Sequence, residues 1–188
     1  MNTLERSLKQ VTSFLEKERI PYMVIGGIAN MIWGKTRLTQ DVDITVLVKE
    51  EGVPDLIKKL AKIVQILPAD PLSFWQETRV LPVVTSERVR TDLIFARLPY
   101  EEAAIRRAKT AKFGKLSIKV CTAEDLIVHK IISERPRDLE DVEWIINRQS
   151  ARLDRDYLDP LVQNLSRLLE RPEIWTFYLS CLQKKQKP

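Results

Sequence analysis

At 188 residues, 44% hydrophobic and 30% charged, the chain has the composition of one globular domain, or of one compact domain with a helical extension. Two cysteines, Cys121 and Cys181, are too few for a disulfide framework or a cysteine metal cluster, and no apolar run approaches the roughly 18 residues of a membrane span. The start, Met1-Asn2-Thr3-Leu4-Glu5-Arg6, lacks the form of a signal peptide, so a cytoplasmic location is expected, and a net charge of +5 favours anionic partners such as nucleotides or nucleic acid.

Leu4, Leu8, Val11, Phe14 and Leu15 recur at helical spacing and predict an amphipathic helix ending near Arg19. Ile20-Pro21 closes it, and Tyr22 to Ile25 reads as a strand. Gly26-Gly27 follows, a pair that can bring backbone amides close to a ligand and can equally make an ordinary turn. A short helix through Ala29, Met31, Ile32 and Trp33 is stopped by Gly34 in a C-terminal glycine position, and Lys35 to Gln40 is a polar loop rich in donors. Asp41 and Asp43 then lead a strand that runs on to Val48. Two residues apart on a strand, their side chains share one face, roughly 7 Å apart at the backbone. Carboxylates so placed can converge on Mg²⁺, which is usually held by one or two carboxylates plus substrate phosphates.

Val53, Leu56, Ile57, Leu60, Ala61 and Val64 describe a second helix with Pro54 in its first turn. Pro68 to Pro71 is a loop, and Leu72-Ser73-Phe74-Trp75 is a helical turn in which Trp75 reads as a packing plug before a base-stacking platform. Val80 to Val84 and Arg88 to Ala96 form an antiparallel pair. The second of these runs carries Asp92, an acid in an apolar strand that needs either a partner or a metal. Taken alone it pairs with Arg90 or Arg88; taken with Asp41 and Asp43 it suits a two-metal site, where ions roughly 4 Å apart need several oxygen ligands.

Pro99 to Lys109 reads as a helix and Lys115 to Cys121 as a strand. Thr122, with Asp125 three residues on, opens another helix in a capping-box-like arrangement. Leu126, Ile127, Lys130 and Ile131 share a face there, so Lys130 either snorkels to solvent or meets a buried anion such as a phosphate or Asp92. His129, the sole histidine, reads as a surface or capping residue. Asp138 is the expected N-cap of the next helix, with Asp141 one turn inside on the same face. Leu158 to Leu169 and Ile174 to Leu179 predict two more helices with Pro160 and Pro172 near their starts, and Gln183 to Pro188 is a polar basic tail.

Gly26-Gly27, a short helix, Arg37-x-Thr39-x-Asp41-Val42-Asp43 on a strand and Asp92 on a later strand together resemble the nucleotidyltransferase superfamily with the polymerase-beta-type core. Glu124-Asp125-Leu126-Ile127-x-x-Lys130 followed by Arg135-x-Arg137-Asp138-x-x-Asp141 is similar, more narrowly, to the third and fourth motifs of its AbiEii-type branch, which includes toxins of toxin-antitoxin systems. Arg137 departs from the lysine common there, and Pro136 sits in the loop.

The resemblance implies an α/β (α+β) fold: a nucleotidyltransferase core over residues 1–121, with a mixed, largely antiparallel sheet flanked by helices, and a helical region over 122–188 packed on it. It implies transfer of a nucleoside monophosphate from an NTP such as ATP to an acceptor hydroxyl, with release of pyrophosphate and with Mg²⁺ or Mn²⁺ held by Asp41, Asp43 and Asp92. Gly26 and Gly27 would approach the triphosphate through backbone amides, and Thr36, Arg37 and Thr39 would contact phosphate from the loop. Lys130 would face the triphosphate, with Asp138 or Asp141 orienting it or contacting the nucleotide. A tRNA 3′ end or other RNA, a protein side chain and a small molecule are open as acceptors, and a cognate antitoxin is an expected partner of a toxin. The competing reading is a non-catalytic nucleotide-binding or partner-binding module on the same fold.

Overall fold

A computed structural model describes residues 1–184; the rest of the expected basic tail, 185–188, lies outside the described residues. In chain order the elements are α1 (Thr3–Lys17), β1 (Tyr22–Ile25), α2 (Gly26–Trp33), β2 (Asp41–Val46), a 3-10 turn (Glu50–Gly52), α3 (Val53–Leu60), β3 (Gln65–Ile66), α4 (Pro71–Thr78), β4 (Val80–Val84) and β5 (Arg90–Phe95). They continue with α5 (Pro99–Arg107), β6 (Lys109–Phe113), β7 (Leu116–Val120), α6 (Ala123–Ile131), α7 (Pro136–Gln149), α8 (Arg155–Leu168) and α9 (Pro172–Lys184). Among the described residues no helix is long and apolar enough to cross a membrane.

The fold is mixed α/β, and the chain divides into two compact units: residues 1–28 with 38–121, and residues 29–37 with 122–188. The first unit holds one sheet in the order β3-β4-β5-β2-β1-β7-β6. Its pairings are antiparallel except β1 with β7 and β2 with β5, which are parallel. Val24, Val42, Ile44, Val46, Leu81, Leu93, Ile118 and Val120 are fully or almost fully buried from these strands, and α1 adds Leu8, Val11 and Leu15. Burying each such side chain stabilises the unit by about 1.5–3 kcal/mol. Trp75 is a packing residue, buried edge-on against Phe95 at 5.7 Å between ring centroids.

In the second unit α6 packs against α7 and α8, and α9 against α7 and α8. Two acids of α6 tie it to the start of α8. Glu124 accepts the backbone N–H of Asp154 at 2.9 Å, and Asp125 accepts the Tyr157 hydroxyl at 2.8 Å. Thr122 caps α6 by accepting the Asp125 N–H, as the sequence predicts.

Several local expectations are corrected. The helix α2 starts at Gly26 itself, three residues before Ala29, because Gly26 takes the left-handed conformation (φ 63°) and turns the chain straight out of β1. Gly34 does follow the last residue of α2, as expected, but without a left-handed conformation, and its lack of a side chain also serves packing, since a Cβ there would stand 2.6 Å from Asn30 Oδ1 and 2.9 Å from Ile145 Cγ1. Asp138 is not the N-cap of α7: Arg135 takes that place because Pro136, with its fixed φ, opens the helix, and Asp138 falls inside the first turn. Pro160 is internal to α8, which begins earlier under an Asp154 cap. The strands β3 and β6 were not foreseen, the first being two residues long and the second an exposed edge strand.

Candidate functional site

The carboxylates are placed by the parallel pairing of β2 with β5, in which Asp41 stands opposite Arg90 and Asp43 opposite Asp92. Residues two apart on a strand share a face, so these four side chains project from one side of the sheet. Val42, Ile44, Thr91 and Leu93 are buried on the other side, and that burial holds the register, since a one-residue slip would exchange the faces.

Arg90 reaches along its own strand to Asp92, with Nε to Oδ1 at 3.0 Å and an NH to Oδ2 at 3.3 Å. The hydrogen bond to Asp92 is the main cause that raises the Arg90 guanidinium above its ordinary pKa; the charge of Asp92 adds to it, desolvation opposes it, and the charges of Asp41 and Asp43 add smaller amounts. Asp41, at the exposed end of β2, accepts the Thr39 hydroxyl at 2.6 Å.

Gly26 and Gly27 are shaped around this group. A Cβ on Gly26 would lie 1.9 Å from Asp43 Oδ2, and one on Gly27 would lie 2.5 Å from Thr39 Oγ1. Glycine is favoured by close approach at both positions, and required by backbone conformation at the first. The pair brings main chain directly against Asp43 and Thr39.

The donor set suits Mg²⁺ or Mn²⁺ in kind: hard carboxylate oxygens on neighbouring strands, half-exposed at Asp43 and Asp92. The space that a Gly26 Cβ would fill is taken by the Asp43 carboxylate, which stands directly against the main chain there. As the side chains stand, Asp41 is turned to Thr39 and Asp92 to Arg90, and among the described residues no three acids, histidines or cysteines lie in metal-holding geometry. The residues fit a divalent ion in type and register, and Thr39 and Arg90 are the contacts that would give way.

The remaining expected residues are gathered in the helical unit. Lys130 is buried, 5% exposed, and its ammonium donates to Asp138 Oδ1 at 2.7 Å and lies 2.7 Å from Asp141 Oδ2. Asp141 also takes the Arg37 guanidinium, at 2.9 and 3.3 Å. Asp138 accepts the Ser133 hydroxyl at 2.9 Å and pairs with Arg135 at 2.7 Å. Burial pushes the Asp138 carboxyl up, but the bond and charge of Lys130, the Ser133 hydroxyl and the charge of Arg135 outweigh it and leave the pKa below the ordinary value. Lys130 thus meets a buried anion, as one of its sequence readings expects, but that anion is this aspartate pair and not Asp92. Thr36 is exposed in the loop that follows α2.

Asn30 belongs to this network and was not foreseen. Fully buried on α2, it donates to Asp141 Oδ1 at 2.9 Å and to the Lys35 carbonyl at 3.1 Å, joining the helix to its following loop and to α7. The available signal was an amide inside the apolar run Ile28-Ala29-Asn30-Met31-Ile32, since a buried polar group needs partners.

Among curated protein sequences none matches the chain. Solved structures are similar in fold. The solution structure of the antibiotic-resistance factor ANT(2'')-Ia aligns with a TM-score of 0.59 and 12% identity over 92% of this chain and 98% of its own. The lincosamide antibiotic adenylyltransferase LnuA, lincomycin-bound, aligns with a TM-score of 0.52 and 15% identity over 75% of this chain and 95% of its own. An antigenic nucleotidyltransferase-like protein from Paracoccidioides brasiliensis aligns with a TM-score of 0.53 and 17% identity over 96% and 93%. The family model described as "Nucleotidyltransferase of unknown function (DUF6036)" matches residues 1–180, and the chain belongs to that family and is a nucleotidyltransferase.

Proposed function

We propose that the chain moves a nucleoside monophosphate from an NTP to the hydroxyl of a small-molecule acceptor, releasing pyrophosphate, with Mg²⁺ or Mn²⁺ at Asp41, Asp43 and Asp92. The observation that carries this reading is the register of β2 with β5, which sets Asp43 beside Asp92, Asp41 on the same face, and Gly26 against Asp43. A divalent ion bound there supplies charge that polarises the α-phosphate and neutralises the leaving pyrophosphate.

This chain's own residues have four tasks in that reaction. Gly26 and Gly27 leave their backbone amides open to triphosphate oxygens. Thr39, now on Asp41, offers its hydroxyl to phosphate. Asp92 accepts the proton of the attacking hydroxyl as its oxygen bonds to the α-phosphorus and the bond to the bridging oxygen breaks; Arg90 must loosen its hold for that. In the helical unit, Asp141 fixes the Arg37 guanidinium, and Lys130 with Asp138 steadies Asp141.

The small-molecule acceptor draws support from LnuA, called a lincosamide antibiotic adenylyltransferase, and from ANT(2'')-Ia, which is known in complex with adenylyl-2''-tobramycin at a TM-score of 0.54 and 10% identity. A second reading, an AbiEii-type toxin acting on RNA beside a cognate antitoxin, rests on the narrower resemblance of the stretch from Glu124 to Asp141. Incubation with Mg²⁺ or Mn²⁺ and each α-labelled NTP, with a panel of hydroxylated small molecules or with total RNA, separates the two. Label is expected on a small molecule and absent with Asp43→Ala; label on RNA favours the toxin. Transfer that survives Asp43→Ala overturns the site, and nucleotide binding without any transfer favours the non-catalytic module.

A further inference from the structure

The end of β1 away from Gly26 borders a cavity of about 330 Å³ within the sheet-bearing unit. Three cations line it from three separate elements: Arg19 from the turn after α1, Arg106 from the last turn of α5, and Lys119 from β7. Glu16 is the one acid in the lining, and its Oε1 already accepts the Tyr22 hydroxyl at 2.9 Å. Pro21 and Ile105 add an apolar wall.

These cations are poorly matched by the protein itself. Among the described residues Arg19 and Lys119 have no ion-pair partner, and Arg106 has only an exposed contact with Glu102 at 3.6 Å. Arg19 moreover occupies the left-handed position of a helix end, φ 57°, where Ile20 N–H bonds back to the Leu15 carbonyl and glycine is the usual residue. Arg79 adopts the same conformation (φ 59°) but is held by Glu50 at 2.7 Å and by the Trp75 ring at 4.7 Å. Arg19, which is exposed, has neither kind of support and lines the cavity.

We propose that this cavity is a binding site for a small organic phosphate of nucleotide size, separate from the carboxylate group. The phosphate takes charge-assisted hydrogen bonds from Arg19, Arg106 and Lys119. Its organic body lies on Pro21 and Ile105, and a hydroxyl or amino group of that body reaches the Glu16–Tyr22 pair. The volume is at the lower end of the roughly 300–1,000 Å³ of small-molecule sites. The inference requires nothing of the transfer reaction, because β1 separates the cavity from Gly26 and Asp43.

The test is a titration of the ¹⁵N-labelled full chain with 5′-AMP in excess EDTA, following the amides of Arg19, Tyr22 and Lys119. AMP is expected to shift these amides, and adenosine or inorganic phosphate to do so only at much higher concentration. Arg19→Glu combined with Lys119→Glu is expected to weaken AMP binding by about tenfold or more, leaving the Gly26 and Gly27 amides and the circular dichroism unchanged. Arg19→Gln alone, a milder change at an exposed turn, is expected to weaken it by a smaller factor and serves if the double variant misfolds. The proposal is overturned if AMP shifts only amides around Gly26, if adenosine or inorganic phosphate binds as tightly as AMP, or if the folded variants bind AMP as the parent does.

Discussion

Arg90 and Asp92, two residues apart on β5, are joined by a two-armed ion pair on the face where Asp41 and Asp43 also stand. One guanidinium therefore lies in the field of three carboxylates and competes with any cation they would bind. Arg90→Gln is expected to tighten Mn²⁺ binding in the absence of nucleotide by about twofold to fivefold, in keeping with an exposed pair worth up to about 1 kcal/mol. Electron paramagnetic resonance of free Mn²⁺ measures this directly. An unchanged or weaker affinity would mean that Arg90 does not compete for the site.

The two glycines should fail differently when given a methyl group. Gly26→Ala forces a side chain into the left-handed region, at a cost of about 1–2 kcal/mol, and drives a Cβ into Asp43. A lower urea midpoint and loss of Mn²⁺ binding are expected together. Gly27→Ala has no such backbone strain and meets only the Thr39 side chain. It should be the milder substitution, acting through the Thr39–Asp41 hydrogen bond.

Lys130→Met is expected to destabilise the protein by about 3–5 kcal/mol, because it leaves Asp138 and Asp141 buried without their shared cation. Adding Asp138→Asn to that variant should restore part of the loss by removing one of the stranded charges. Urea denaturation of the single and double variants checks both. A Lys130→Met protein as stable as the parent would show that Arg37, Asn30 and Arg135 suffice for the pair.

Stability should also depend on pH through Asp138. Its carboxyl titrates below the ordinary range when folded, so between the folded and unfolded values the unfolded chain binds more protons. The contribution is fully present above the unfolded carboxylate value of about 4 and is lost as the pH falls through the folded one. Thermal midpoints of the parent are expected to fall more steeply below about pH 4 than those of Asp138→Asn. Parallel curves would remove Asp138 from the account.

Much of the fold was legible because local periodicity encodes it. The strands β1 and β4 agree with their apolar runs to the residue, and the Thr122 cap of α6 was readable from Thr122 and Asp125 alone. Edge strand β6 was hidden because its exposed Lys109, Thr110 and Lys112 carry no apolar pattern, and β3 because two residues have no period. Asp138 reads as a cap because Asp is a good N-cap in isolation, whereas Pro136 opens the helix two residues earlier.

What the sequence by itself determined is the local half of the site. Two glycines follow a strand, and two aspartates two residues apart must share a face by the period of a strand. Asp92 taken alone reads as a partner of Arg90 or Arg88, and beside Asp41 and Asp43 as a ligand of a two-metal site. In the tertiary structure it bonds to Arg90 and stands beside Asp43. That neighbourhood, like the meeting of Lys130 with Asp138 and Asp141, joins residues from different elements. Its register is decided by which side chains are buried on the opposite face of β2 and β5, a property that exists only once the strands have paired.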